Sequence, residues 1–395
     1  MWKRFVKRIR CLKCREPLLL IVIEETIIAP SPEHVRHAEK AGIPSAELSA
    51  WVEEGILYCA SCRVWHPIVE GLPVLLPYSG GLYEEFLRRH PTAPSLPGAG
   101  FSAPSDKPAP GEEFVLHSFS REWMDYSYDD VLWTWSYKER ERIFQKETGL
   151  EGPPSLPGRT YVEIGCGLGV VTHMAWKHLG GDAVGVDLSL AALRACRHFR
   201  DNPFLHFIQA SLWRLPFEPA SFDFIYSHGV LHHTHSTKKA LASIASLCRE
   251  GGSLYFWIYG TGSIREDVVR HAAWWAESIL RPLLARSPSW LTDVALAPIA
   301  CLYMAANALQ RVAGQKRESY TFKRALHAAR DRFTPMYAHR TDAAEAASWM
   351  EDLGYRDLRP VPWQEMPRGI RETFRRNVGL LGVKTASIAN PERQG

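Results

Sequence analysis

The sequence predicts an α/β protein whose main part is a doubly wound, mostly parallel sheet of seven strands, with a helical insertion and a small cysteine-bearing module in front. Three observations predict it. Strand-like and helix-like segments alternate from about residue 113 almost to the end, the pattern of a parallel sheet covered by helices on both faces. A glycine-rich turn, Gly165-Cys166-Gly167-Leu168-Gly169, joins the first of these strands to a helix. Two C-x-x-C pairs, Cys11/Cys14 and Cys59/Cys62, occur only near the start.

The bulk properties are permissive. The chain has 395 residues, room for more than one domain. It is 46% hydrophobic and 23% charged, the balance of an ordinary globular protein, and its formal charge of +4 is too small to imply a polyanionic partner. Lys3, Arg4, Lys7, Arg8, Arg10 and Lys13 form a local basic stretch, read as a solvated tail or a binding patch. The apolar run after it is not a secretory signal. Cysteines separate it from the charges, Glu24 and Glu25 end it, and no small-residue cleavage site follows. It is expected to be a buried strand.

Composition divides the chain into residues 1–78 with the cysteine pairs, a Pro/Gly/Ser/Ala-rich stretch at 79–112 expected to be a flexible linker, and a periodic remainder at 113–395. In the first part, four thiolates from two tight turns suit a closed tetrahedral zinc site with Cys11, Cys14, Cys59 and Cys62 as ligands. A redox dithiol is the competing reading. Residues 15–58 make a long spacer, in which SPEHVRHAEKAGI and AELSAWVEEG are expected to be helical. The other four cysteines sit in apolar surroundings, as core thiols of a reducing compartment do. The location expected is the cytoplasm, with peripheral membrane contact as an option.

In the third part, YVEI (161–164), AVGVD (183–187), FLHFIQ, FDFIYS, SLYFWIY (253–259) and VGLLGVK (378–384) read as strands. Val171, Met174, Ala175 and His178 follow the glycine turn at helical spacing. The turn itself is G-x-G-x-G. A nicotinamide fingerprint would require a further glycine where Val170 stands, and no phosphate-binding Lys or Ser/Thr follows. Glu163 precedes the turn, where a carboxylate can receive an ammonium group. Asp187 ends the next strand, where it can hold both hydroxyls of a ribose. Side-chain-free glycines permit close backbone approach to a ligand. Together these residue types suit S-adenosylmethionine.

Residues 115–260 resemble the class I S-adenosylmethionine-dependent methyltransferase family, segment by segment. EIGCGLG resembles its first motif and VGVDLS the segment with the ribose-binding acid, Asp187. IQASLWRLPF resembles a segment that in the family reads A-D before LPF; here Ser211 stands in place of that Asp. FDFIYSHGVLHHT (222–234) resembles the fourth motif, as found in members acting on small molecules, and FSREW with WTWSYKER resembles a helical segment covering the cofactor. The resemblance implies a Rossmann-like fold and S-adenosylmethionine as cofactor. The cofactor residues it implies are Glu163, Gly165, Cys166, Gly167, Gly169, Asp187, Leu188, Ser211, Leu212 and Ser227. GILYCASCRVWHPIVEGLPVLLP (55–77) is similar to a small zinc-ribbon family that includes the activator subunit of tRNA and protein methyltransferases, which implies a structural zinc.

His228, His232, His233 and His235 crowd the end of the fourth strand. They read as a metal site, as a source of a general base, or as packing around the cofactor. If a base exists, His232 or His233 is expected. Residues 263–330 are helical and unusually apolar, suited to a lid, a surface for a lipid-like acceptor, or a helical subdomain packed on itself. A transmembrane span is disfavoured because Asp293 and Pro298 interrupt the apolar run. Asp331, Tyr337 and His339 are acceptor-site candidates. The expected reaction is methyl transfer to a small or lipid-like acceptor, at oxygen. An RNA or protein acceptor gripped by the ribbon, and a non-catalytic cofactor-binding scaffold, are the alternatives.

Overall fold

The structure is a computed structural model that describes residues 1–124, 128, 136–150, 159–262, 268–312, 321–367 and 370–385. The strands are β1 (Leu19–Ile27), β2 (Ala50–Cys59), β3 (Val64–Val69), β4 (Leu72–Leu75), β5 (Arg159–Ile164), β6 (Gly180–Asp187), β7 (Leu205–Ala210), β8 (Phe222–His228), β9 (Cys248–Ile258), β10 (Tyr355–Pro360) and β11 (Val378–Lys384). The helices are α1 (Pro32–Ala41), α2 (Gly81–Arg89), α3 (Glu112–Met124), α4 (Tyr137–Thr148), α5 (Val170–Leu179), α6 (Ala191–His198), α7 (Thr237–Ala245), α8 (Val268–Arg286), α9 (Ser289–Val312), α10 (Phe322–Phe333), α11 (Ala343–Asp352) and α12 (Arg371–Arg376).

The main sheet has the seven strands expected, in the order β7-β6-β5-β8-β9-β11-β10; six are the segments named from the sequence and β10 is the seventh. β5 to β9 run parallel, and β11 enters antiparallel between β9 and β10. Strands covered on both faces are buried along their whole length. β7 obeys this, with all of LHFIQA buried. The order reverses between β5 and β8, so a crevice opens above their carboxyl ends, where open α/β sheets bind ligands.

The N-terminal strands form no separate sheet. β4 pairs in parallel with β7, Val74 opposite Gln209 and Leu75 opposite Ala210, giving one eleven-stranded sheet. The pairing covers an edge that would otherwise expose a row of backbone donors and acceptors. Around it, Arg4 is ion-paired with Asp182, and Phe5 stacks on His206 with centroids 4.0 Å apart.

Two expectations for the front of the chain are corrected. AELSAWVEEG gives only a short 3-10 turn at Ser45–Leu48 before β2 begins. Pairing of β2 with β1 and β3 satisfies its backbone on both sides and overrides the local helical pattern. The linker expected over 79–112 holds α2, whose Leu82, Tyr83 and Phe86 are buried against Trp65 and its neighbours. Three apolar residues on one short helical face are enough to anchor a segment that composition alone reads as loose.

The helical insertion contains α8, α9 and the start of α10. α9 runs on through Asp293 and Pro298. Leu296 buries against Ala329 and Phe333 of α10, with Ile299 and Tyr303 packed beside it. Asp293 is ion-paired with Arg121 and Arg330, which removes the cost of its charge. The opposite side is bare: Trp290, Val294, Leu302, Leu309 and Val312 of α9, with Trp275 and Leu283 of α8, are exposed. Ser289–Leu309 is long and apolar enough to cross a membrane by length and composition. Trp133, Thr134 and Trp135 of the expected covering segment lie outside the described residues, as do 263–267 and 313–320 of the insertion.

Candidate active site

A cavity of about 490 Å³ lies over the carboxyl ends of β5, β6, β7 and β8. Its floor is the glycine turn. Gly165 has φ +79°, and a Cβ there would stand 2.2 Å from Val230. Only glycine fits both the backbone and the space. The Gly167 N–H donates to Asp187 (2.7 Å), and the Ser189 N–H donates to the other oxygen of that carboxylate (2.8 Å). Asp187 is thus fixed before any ligand arrives. Both its oxygens keep a second lone pair for hydroxyl donors.

Glu163 is 5% exposed, and its carboxylate accepts from the Thr172 hydroxyl. Burial pushes its carboxyl up to about 8, with Asp187 adding to the effect and Thr172 and Arg140 opposing it. A buried acid at the cavity wall becomes a receptor for a cation when an arriving ammonium favours its ionised form. The carboxylate pair, the glycine cradle and the apolar Leu188 and Leu212 beside them fit S-adenosylmethionine in ammonium, ribose and base.

Of the residues expected to hold the cofactor, Glu163, Gly165, Cys166, Asp187, Leu188 and Leu212 line the cavity. Gly167, Gly169, Ser211 and Ser227 lie behind the lining, each for a visible reason. Gly167 orients Asp187. Gly169, at φ +75°, starts α5, and a Cβ there would meet Phe207 at 2.5 Å. The Ser211 hydroxyl accepts from the Trp213 N–H, and the Ser227 hydroxyl donates to the Ile164 carbonyl (3.1 Å).

The histidines separate in the same way. His233 lines the cavity with its Nδ1 2.7 Å from the Tyr337 carbonyl, which makes Nδ1 the donor and leaves Nε2 with a lone pair. His232 does not line it. It is fully buried, and neither ring nitrogen has a hydrogen-bond partner. His228 and His235 line the cavity too. His228 stacks on Trp257 at 4.6 Å, and its Nδ1 lies 2.8 Å from the Glu147 carboxylate. Glu147 is fully buried among Arg140 and the hydroxyls of Tyr226 and Tyr255. Burial would raise Glu147, but Arg140, His228 and the Tyr226 hydroxyl hold it low, at about 2, so it is a carboxylate at neutral pH.

Sequence reasoning missed Arg140 and Glu147. They lie at positions 4 and 11 of α4, a spacing of seven that sets both on one helix face. A buried-face Arg/Glu pair in an otherwise charged helix was the available signal. Among the acceptor-site candidates, Asp331 and Tyr337 line the cavity and His339 does not; its N–H is bonded to the His232 carbonyl. Aromatic rings form part of the remaining wall: Phe119, Trp123, Trp257, Tyr259 and Phe374.

The sulfur atoms of Cys11, Cys14, Cys59 and Cys62 all lie within 4.8 Å of one another. The Lys13 and Cys62 N–H groups donate to the sulfurs of Cys11 and Cys59, both at 3.4 Å. Such backbone donors stabilise thiolate charge, and four sulfurs at this spacing fit a tetrahedral metal rather than one exchanging pair.

The strand order and the carboxylate-lined cavity match what the resemblance to class I S-adenosylmethionine-dependent methyltransferases implies. Residues 162–256 match the family model described as a methyltransferase domain. A tRNA U34 carboxymethyltransferase of Pseudoalteromonas atlantica is 37% identical over 106 residues, 25% of this chain and 32% of that protein. A malonyl-[acyl-carrier protein] O-methyltransferase of Pseudescherichia vulneris is 30% identical over 115 residues, 29% and 43% of the two chains. Among solved structures, magnesium protoporphyrin IX methyltransferase of Synechocystis PCC 6803 aligns over 69% of this chain and 100% of its own, at 14% identity and a TM-score of 0.38. This chain spans about a third of the length of the first curated relatives it matches.

Proposed function

We propose that this protein transfers the methyl group of S-adenosylmethionine to an oxygen of a small or lipid-like acceptor. The relatives include enzymes named for a tRNA and for an acyl carrier, so the choice of acceptor rests on the site. The observation that carries it is one continuous cavity joining the carboxylates Glu163 and Asp187 to an aromatic wall that holds His228 and His233.

Glu163 takes the methionyl ammonium, Asp187 the ribose hydroxyls, and the backbone at Gly165 and Cys166 the close approach. The sulfonium supplies an activated methyl group, so the protein's part is alignment, exclusion of water and removal of a proton. His228 is the better proton acceptor. Burial pulls its ring below the usual imidazole range, and the Glu147 carboxylate, 2.8 Å from Nδ1, opposes this by favouring the protonated form, which leaves Nε2 as the accepting nitrogen. His233 is pushed down to about 3 by burial and faces the charges of Arg281 and Arg340, so it stays neutral. His232 has no access to the cavity.

The basic stretch favours a small acceptor over a polyanion. Lys3, Arg4, Lys7, Arg8, Arg10 and Lys13 each sit within 4.0 Å of a carboxylate of this chain. The exposed apolar face of α8 and α9 suits a lipid-like acceptor presented at a membrane surface. The four cysteines hold structural zinc. The loop they shape braces the cofactor side, because the Arg10 N–H and the Arg15 guanidinium donate to the Pro216 and Leu215 carbonyls (2.9 and 2.5 Å).

Methyl-labelled S-adenosylmethionine incubated with phenol, quinol and fatty-acyl panels, and in parallel with bulk tRNA and protein, tests the reading. Label in a small acceptor supports it. Label confined to RNA or protein overturns it.

A further inference from the structure

Glu112 is a buried acid that the reading above leaves without a role. It stands in the first turn of α3, is 6% exposed, and lines the cavity. One carboxylate oxygen accepts from the Ala109 N–H (2.9 Å). Burial pushes this carboxyl above the usual carboxylate range, with Glu113 adding to the effect and Ser211 and the Ala109 N–H opposing it. Among the described residues no cation lies within ion-pair distance. A buried carboxylate without a counter-charge is costly unless something else donates to it.

Its position identifies the donor. Asp187 ends β6 and fixes the ribose. A base attached to a ribose held there would face the end of the neighbouring strand, β7, between Leu188 after β6 and Leu212 after β7, both of which line the cavity. Ser211 is the residue after β7, and Glu112 sits against it. Adenine presents an exocyclic amine on its edge, a donor without charge. We infer that Glu112 reads the adenine amino group of the cofactor, supplying from the entry helix a carboxylate at the end of β7, where the Ser211 hydroxyl is already engaged by the Trp213 N–H. Gly111 makes the delivery feasible. Its φ is +73°, and a Cβ there would stand 2.7 Å from the ring of Tyr337, another cavity residue.

The inference rests on the cofactor reading, and the test separates the two. S-adenosylhomocysteine and its 6-deamino purine analogue are titrated calorimetrically into wild type, Glu112→Ala, Glu112→Gln and Asp187→Ala. Wild type is expected to prefer the amino compound by about tenfold or more, the worth of a hydrogen bond to a charged acceptor. Glu112→Ala is expected to bind both ligands alike. Glu112→Gln, whose amide oxygen still accepts, should recover part of the preference. Asp187→Ala should weaken both ligands equally and keep their ratio. A wild-type preference that survives in Glu112→Ala, in protein with unchanged circular dichroism, overturns the inference. Absence of binding to wild type overturns the cofactor reading instead.

Discussion

Binding of S-adenosylhomocysteine should drive a proton off Glu163. In the free protein burial holds this carboxyl at about 8. At pH 7 the group is then about 90% protonated, and at pH 8 about half. An ammonium placed against it stabilises the ionised form, so the bound state sheds the proton. Binding at pH 7 should release about 0.9 proton, falling to about 0.5 at pH 8. The sign follows from the direction of the shift: an acid raised in the free protein must ionise to form the ion pair, so affinity rises with pH up to about 8. Deprotonation at pH 7 costs about 1.4 kcal/mol, close to a tenfold loss relative to the ionised protein. The assay is calorimetry in phosphate and in imidazole at one pH, where the difference in apparent enthalpy divided by the difference in buffer ionisation enthalpy counts protons. Glu163→Gln should bind more weakly and release almost none. A release near zero in wild type, or an equal release in Glu163→Gln, refutes the placement of the ammonium at Glu163.

Further outcomes follow from other parts of the structure. Glu147→Ala strands the buried Arg140 without its carboxylate, and urea unfolding should show a loss of about 3–5 kcal/mol. An unchanged midpoint and slope would contradict the network described here. His228→Ala should lower turnover of an identified acceptor by about a hundredfold or more with S-adenosylhomocysteine affinity kept, and His232→Ala should leave the pH profile of turnover in place. Zinc analysis of purified protein should give one metal per chain. Chelation should lower the melting temperature and weaken S-adenosylhomocysteine binding, because the cysteine loop braces residues 215 and 216. Flotation with anionic liposomes should carry wild type upward, and replacing Trp275, Leu283, Trp290 and Leu302 by Ser should leave the protein at the bottom with its cofactor affinity intact.

The sequence alone determined what depends on short range. The glycine turn requires particular backbone angles at Gly165, the acid one strand later falls at Asp187 because strand, turn and helix have set lengths, and two C-x-x-C turns each present two sulfurs. The doubly wound, mostly parallel character of the main sheet followed from the alternation of elements and from the family resemblance, since buried parallel strands and their covering helices leave few arrangements.

Tertiary structure decided which groups meet across long separations. Glu147 reaches His228 and Glu112 reaches Ser211 only because α4 and α3 pack over strand ends far along the chain, and no periodicity encodes that. His232 and His233 are neighbours in sequence, yet one side chain enters the cavity and the other is sealed behind it, because successive residues of a tight turn point in different directions. The N-terminal strands likewise showed their cysteines plainly but not their pairing with β7. That contact is made of backbone hydrogen bonds, which every residue except proline can donate and which therefore leave little trace in side-chain identity.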